Sequence, residues 1–149
     1  MSKILDKIRE LKARKDRKVS EILANEEMAR ERANFENVRD NRYSRFYADG
    51  LAYCPEYDDR TFTGSFIPCQ IQRMHDENGR GMSNYVPLRD EKGNIKKISE
   101  EEAFQIYCER GSDIYASYPS KAELKARKEE VEKEVVKAYL KRKAEKLFK

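Results

Sequence analysis

Few residues in this chain have both the type and the spacing to do chemistry. The single histidine, His75, adjoins the turn Asp76-Glu77-Asn78-Gly79 with no nucleophile at a recognised spacing, so it reads as an exposed turn residue rather than a base. Cys54, Cys69, Cys108 and His75 supply the atom types of a tetrahedral zinc site. Structural zinc sites pair their ligands two to four residues apart. Here the gaps are fourteen, five and thirty-two residues, and no metal site is expected. Three widely spaced cysteines also argue against a secreted disulfide framework and read as reduced, partly buried thiols.

The adjacent acids Asp58-Asp59 lie in a Pro-Glu-Tyr-Asp-Asp-Arg loop, where a surface role outweighs acid/base or magnesium chemistry. Gly79 and Gly81 in N-G-R-G-M lack the Lys-Ser/Thr ending of a phosphate loop and read as a turn. These features imply no catalytic residue, no cofactor and no enzymatic activity.

Cations are the remaining chemical resource. The N-terminal run Lys12, Arg14, Lys15, Arg17 and Lys18, and the C-terminal run around Lys141, Arg142 and Lys143, set positive charge densely along presumed helices. Both suit phosphate contact, and nucleic-acid binding is the alternative reading of the chain. The acids Glu129, Glu130, Glu132 and Glu134 are interspersed among them, however, and mixed faces of this kind commonly just solvate a helix. The segment Arg42-Tyr43-Ser44-Arg45-Phe46-Tyr47 interleaves Arg with aromatics. Its Arg42, Tyr43, Arg45, Phe46 and Tyr47 are the candidate partner-binding residues.

The elements that must carry these groups are legible. From Ser2 to about Tyr47 there is neither glycine nor proline, so a helix over residues 1–47 is predicted, stopping at Gly50 and bending near Asn34 to Asn37 if the molecule is not elongated. Ile4, Ile8, Leu11, Val19 and Ile22 follow steps of three and four, but Lys15 and Glu26 fall where the stripe should continue. Residues 48–119 hold most of the tyrosines, glycines and prolines and form the compact centre. Within it, strands near 61–74, 83–89 and 94–98 make a three-stranded meander, with Pro68 and Pro87 confined to edges, bulges or ends. Ser99 with Glu102 opens a short helix over 100–110, and Ser120 with Glu123 opens a basic terminal helix over 120–149. The fold class is therefore α+β: long, charged N- and C-terminal helices flank a small antiparallel β meander with one short helix. The two long helices are candidates for antiparallel pairing, Ile4, Ile8, Leu11, Val19 and Ile22 against Val131, Val135, Leu140 and Leu147.

Composition sets the functional expectation. Charged residues make up 40% of the 149 and apolar ones 38%, so little is available for a large core. No stretch approaches the roughly 20 apolar residues of a bilayer span, which points to the cytoplasm or to a virion assembled there. Long helices with thin stripes need something to lie against: each other, a second copy or a large assembly. The expected role is a non-enzymatic structural or assembly subunit, docked on other protein subunits of a large protein or nucleoprotein particle such as a bacteriophage virion.

Overall fold

The structure, a computed structural model, describes residues 2–148 and divides into two compact units. One comprises residues up to Arg30 together with those from Tyr118 onward; the other is Glu31–Ser117. The elements in chain order are α1 (Ser2–Arg39), β1 (Phe46–Ala48), β2 (Leu51–Asp58), β3 (Thr61–His75), β4 (Gly81–Pro87), β5 (Ile98–Ser99), α2 (Glu100–Arg110) and α3 (Lys121–Leu147). This is the α+β arrangement expected, with two strands, β1 and β2, that were not expected.

In Glu31–Ser117 the sheet order is β1-β2-β3-β4, every pair antiparallel, and β5 joins β3. The expected helix to Tyr47 ends instead at Arg39. Asn41 turns the chain, its side-chain carbonyl accepting from the Tyr43 N–H at 3.0 Å, and Phe46–Ala48 becomes a strand. Gly50 does not stop a helix. With Asp49 (φ 54°) it forms a two-residue hairpin turn at φ 76°, the left-handed pair that matches the twist of flanking strands. Helical structure runs unbroken through Asn34 to Asn37. The strand expected at 94–98 reduces to an Arg89–Ile95 bridge and the two residues of β5.

Pro87 ends β4, as its missing N–H requires. Pro68 lies mid-strand in β3, opposite Leu88 just past the end of β4. Its carbonyl accepts from the Leu88 N–H at 2.9 Å, and the Leu88 carbonyl, which Pro68 has no N–H to reach, accepts instead from Lys96 at 2.9 Å.

One face of the sheet builds the core. Phe46 and Ala48 of β1, Tyr53 of β2 and Phe66 of β3 pack with Ala103 and Tyr107 of α2 and with Phe35 and Val38 of α1. The rings interlock: Phe35 lies 5.2 Å from Phe66, Phe46 stacks on Tyr53 at 4.9 Å, and Tyr107 meets Phe46 edge-on at 5.3 Å. Polar clasps flank this core. Asn34, itself buried, donates to the Ser117 carbonyl at 3.1 Å and accepts from the Ser117 N–H at 3.0 Å. Arg32 and Arg39 both reach Glu100, at 3.2 and 2.7 Å, tying the last turns of α1 to the start of α2. The Ser99 hydroxyl caps α2 by accepting from Glu102 at 3.1 Å, and Gly111 closes it by donating to Tyr107.

In the other unit α1 and α3 run antiparallel: Glu26 meets Arg127, and residues earlier in α1 line up with later ones in α3. The seam is thin. Val19 and Val131 are buried, while Leu11, Ile22 and Val135 are half-buried. Ile4, Ile8, Leu140 and Leu147, expected in the same seam, are exposed. Lys15 and Glu26 do interrupt the stripe from within, both half-buried, and Glu26 is answered by Arg127 at 2.6 Å.

Candidate functional site

Between α1 and α3 lies a groove of about 890 Å³ floored by Leu11, Val135, Val136 and Tyr139. Its rims carry Lys7, Lys12, Arg14, Lys15 and Lys18 from α1 and Arg142, Lys143 and Lys146 from α3, with Glu145 the one acid lining it. The antiparallel pairing creates this site, because it brings the N-terminal basic run beside the C-terminal one. Two of the cations have neighbouring carboxylates, Arg14 with Glu10 at 3.1 Å and Lys18 with Glu21 at 3.8 Å, both exposed pairs on their own helix. Such pairs hold little energy and exchange readily for another anion. Of the basic residues singled out in the sequence, Lys12, Arg14, Lys15, Lys18, Arg142 and Lys143 line the groove, whereas Arg17 and Lys141 are exposed elsewhere on their helices.

Next to the groove along the seam, Arg127 holds Glu26 and also reaches Glu130 and Glu134, at 3.2 and 3.3 Å. The hydrogen bond from Arg127 keeps the Glu26 carboxyl below the usual carboxylate range. Charge is thus balanced in this stretch and unbalanced in the groove.

The aromatic segment after α1 is split by the fold. Phe46 is fully buried in the core and offers nothing to a partner, which corrects its assignment as a surface contact. The cause is strand alternation: once Phe46–Ala48 pairs with β2, Phe46 faces the core and Tyr47 the opposite side. The Tyr47 hydroxyl meets that of Tyr85 at 3.1 Å, and the Arg45 guanidinium stacks on the Tyr85 ring at 3.9 Å, so both are partly buried. Only Arg42 and Tyr43 stand in solvent, Tyr43 at 77% exposure and Arg42 donating to the Asp59 carbonyl at 3.0 Å.

The remaining chemical candidates are dispersed. His75 ends β3 and is exposed; Asp59 occupies the β2–β3 turn at φ 59°. Cys108 is exposed on α2, and among the described residues no three His, Cys, Asp or Glu side chains gather as a metal ion needs. Cys54 and Cys69 do come together, on neighbouring strands. Among the described residues no helix is long and apolar enough to cross a membrane. No protein-family model matches the chain, and neither a curated protein nor a solved structure matches it.

Proposed function

We propose that the protein is a non-enzymatic assembly subunit that docks, through the α1–α3 groove, on an acidic amphipathic helix of another protein in a larger particle, a virion being one such setting. The observation that carries this reading is the groove's make-up: four apolar side chains on the floor between rims with eight cations and one acid. An apolar floor rewards an apolar stripe, and basic rims select acidic flanks, which is the helix-in-groove mode of recognition. Exposed Ile8 and Leu140 on the same two helices extend the apolar surface a partner could cover.

Nucleic acid is the second reading, favoured by the same gathering of cations from both chain ends. The floor discriminates the two. Phosphate backbones gain nothing from Val135 and Val136, whereas a protein helix does.

The test is a binding titration of labelled probes at two salt concentrations: an acidic amphipathic helical peptide, a scrambled peptide of the same charge, and single- and double-stranded DNA. Docking on protein predicts tight binding of the amphipathic peptide alone, weakened by Val136→Asp at a position already 42% exposed. DNA binding that falls steeply with salt and ignores Val136→Asp overturns it in favour of the nucleic-acid reading.

A further inference from the structure

The face of the sheet opposite the aromatic core carries a thiol pair. Residues directly paired across antiparallel strands share a face, so the register Ala52 with Cys69 and Cys54 with Ile67 sets both cysteines on one side, diagonally across β2 and β3. Tyr47 and Tyr85 lie on this face from β1 and β4 and join at their hydroxyls, and Ala52 and Cys69 on the same face are buried. Cys54 keeps partial access to solvent. The Cys69 thiol donates at 3.5 Å to the carbonyl of Ile67, the residue paired with Cys54, and Arg45 stands beside Cys54.

We propose that Cys54 and Cys69 form an oxidisable dithiol, a modification site for hydrogen peroxide in which Cys54 is attacked first and Cys69 resolves it to a disulfide. Reactive cysteines lie in electropositive, partly exposed surroundings with a second thiol at hand, and this pair has all three features. Interaction with Cys69 and the charge of Arg45 draw the Cys54 thiol down to about 7, while the same interaction and burial push Cys69 up. The Cys54 thiolate therefore attacks one peroxide oxygen; the O–O bond breaks, hydroxide leaves and is protonated to water, and Cys54 becomes a sulfenic acid. The Cys69 sulfur then attacks the Cys54 sulfur, its proton leaving with the displaced hydroxide as a second water. Two thiols lose two hydrogens and one peroxide becomes two waters. Diagonal neighbours lie about 7–8 Å apart, just beyond unaided disulfide reach, so closure needs the strands to shift, and the register break between Pro55 and Tyr57 gives β2 the local slack to do so.

Cys108, more exposed but lacking a thiol neighbour, is an internal competitor in the same molecule. The experiment exposes the reduced protein to limiting hydrogen peroxide, quenches it and reads intact and tryptic masses. Arg60 separates the two cysteines into adjacent peptides, which end at Arg60 and Arg73. The expected result is loss of two hydrogens with those peptides linked and Cys108 unmodified. Cys69→Ser should stop at a Cys54 sulfenic acid trapped by dimedone, Cys54→Ser should leave Cys69 untouched, and Arg45→Gln should slow the reaction several-fold with recovery in Arg45→Lys. Oxidation of Cys108 ahead of Cys54, or a dimedone adduct on Cys54 in the unmutated chain with no linked peptide, overturns the proposal.

Discussion

Phe35 is where single side chains matter most. It is fully buried and touches the rings of Phe46 in β1, Phe66 in β3, and Phe104 and Tyr107 in α2. Truncation removes the transfer energy and leaves a cavity that four rigid rings cannot collapse, so Phe35→Ala should lower the unfolding free energy by about 3–5 kcal/mol, read by denaturant titration of the near-ultraviolet aromatic signal. Tyr43→Ala, in solvent, should leave the same titration within about 0.5 kcal/mol. The sequence grouped Phe46 with Tyr43 because both lie in one Arg-aromatic run. What separates them is pairing register, which composition does not carry. One local signal for it was present: Asp49-Gly50 is a strong two-residue hairpin turn, and recognising it would have placed strands on both sides and turned Phe46 inward.

The helices were legible as elements because their caps and periodicity are local. Ser99 and Ser120 both cap as their spacing to Glu102 and Glu123 implies, each accepting the glutamate's backbone N–H at 3.1 Å. What stayed hidden was which residues of the α1 stripe meet α3, since that depends on pairing across a separation of 101 residues. The two interruptions in the stripe were the clue: Glu26 sits in the seam because Arg127 is opposite it. Their ion pair makes the helix pair acid-sensitive. The folded carboxyl of Glu26 titrates below its ordinary value of 4.5, so its stabilising contribution is complete above that value and is lost as pH falls through the lowered one. Helicity followed by circular dichroism should therefore decline on acidification in this range. Arg127→Met should start from lower stability at neutral pH and lose less on acidification. Equal acid losses in the two proteins would remove Glu26 as the cause.

At the scale of the whole chain, a net charge of +4 conceals a strongly local field. Residues 1–18 and 120–149 are both basic, and the antiparallel helix pair superposes them in one groove instead of keeping them apart. Composition announced the charge, but only the pairing shows that the two runs form a single site. Eight like charges at close quarters repel one another and weaken the helices that carry them. A flexible polyanion such as poly-glutamate should thus raise the melting temperature of the helical signal at low salt by binding the folded form. The rise should vanish when the screening length drops to about 3 Å at 1 M salt.

The reciprocal hydrogen bonds between Asn34 and Ser117 have a consequence for the order of folding. Closing a flexible loop of 101 residues to bring Glu26 to Arg127 carries an entropy cost that grows with the logarithm of loop length. Once Glu31–Ser117 has folded, Asn34 clasps Ser117, and the free chain left to close shrinks to about 18 residues, which cuts that cost by about 1.5 kcal/mol. The central unit, which holds the last turns of α1, thereby acts as a splint for the rest of the helix pair, whose closure is cheapest after it has folded. Asn34→Ala should accordingly shift the melting of α1 against α3 to lower temperature, although residue 34 lies outside their seam. Hydrogen exchange resolved by residue should show Val19 and Val131 losing protection together with Ser117.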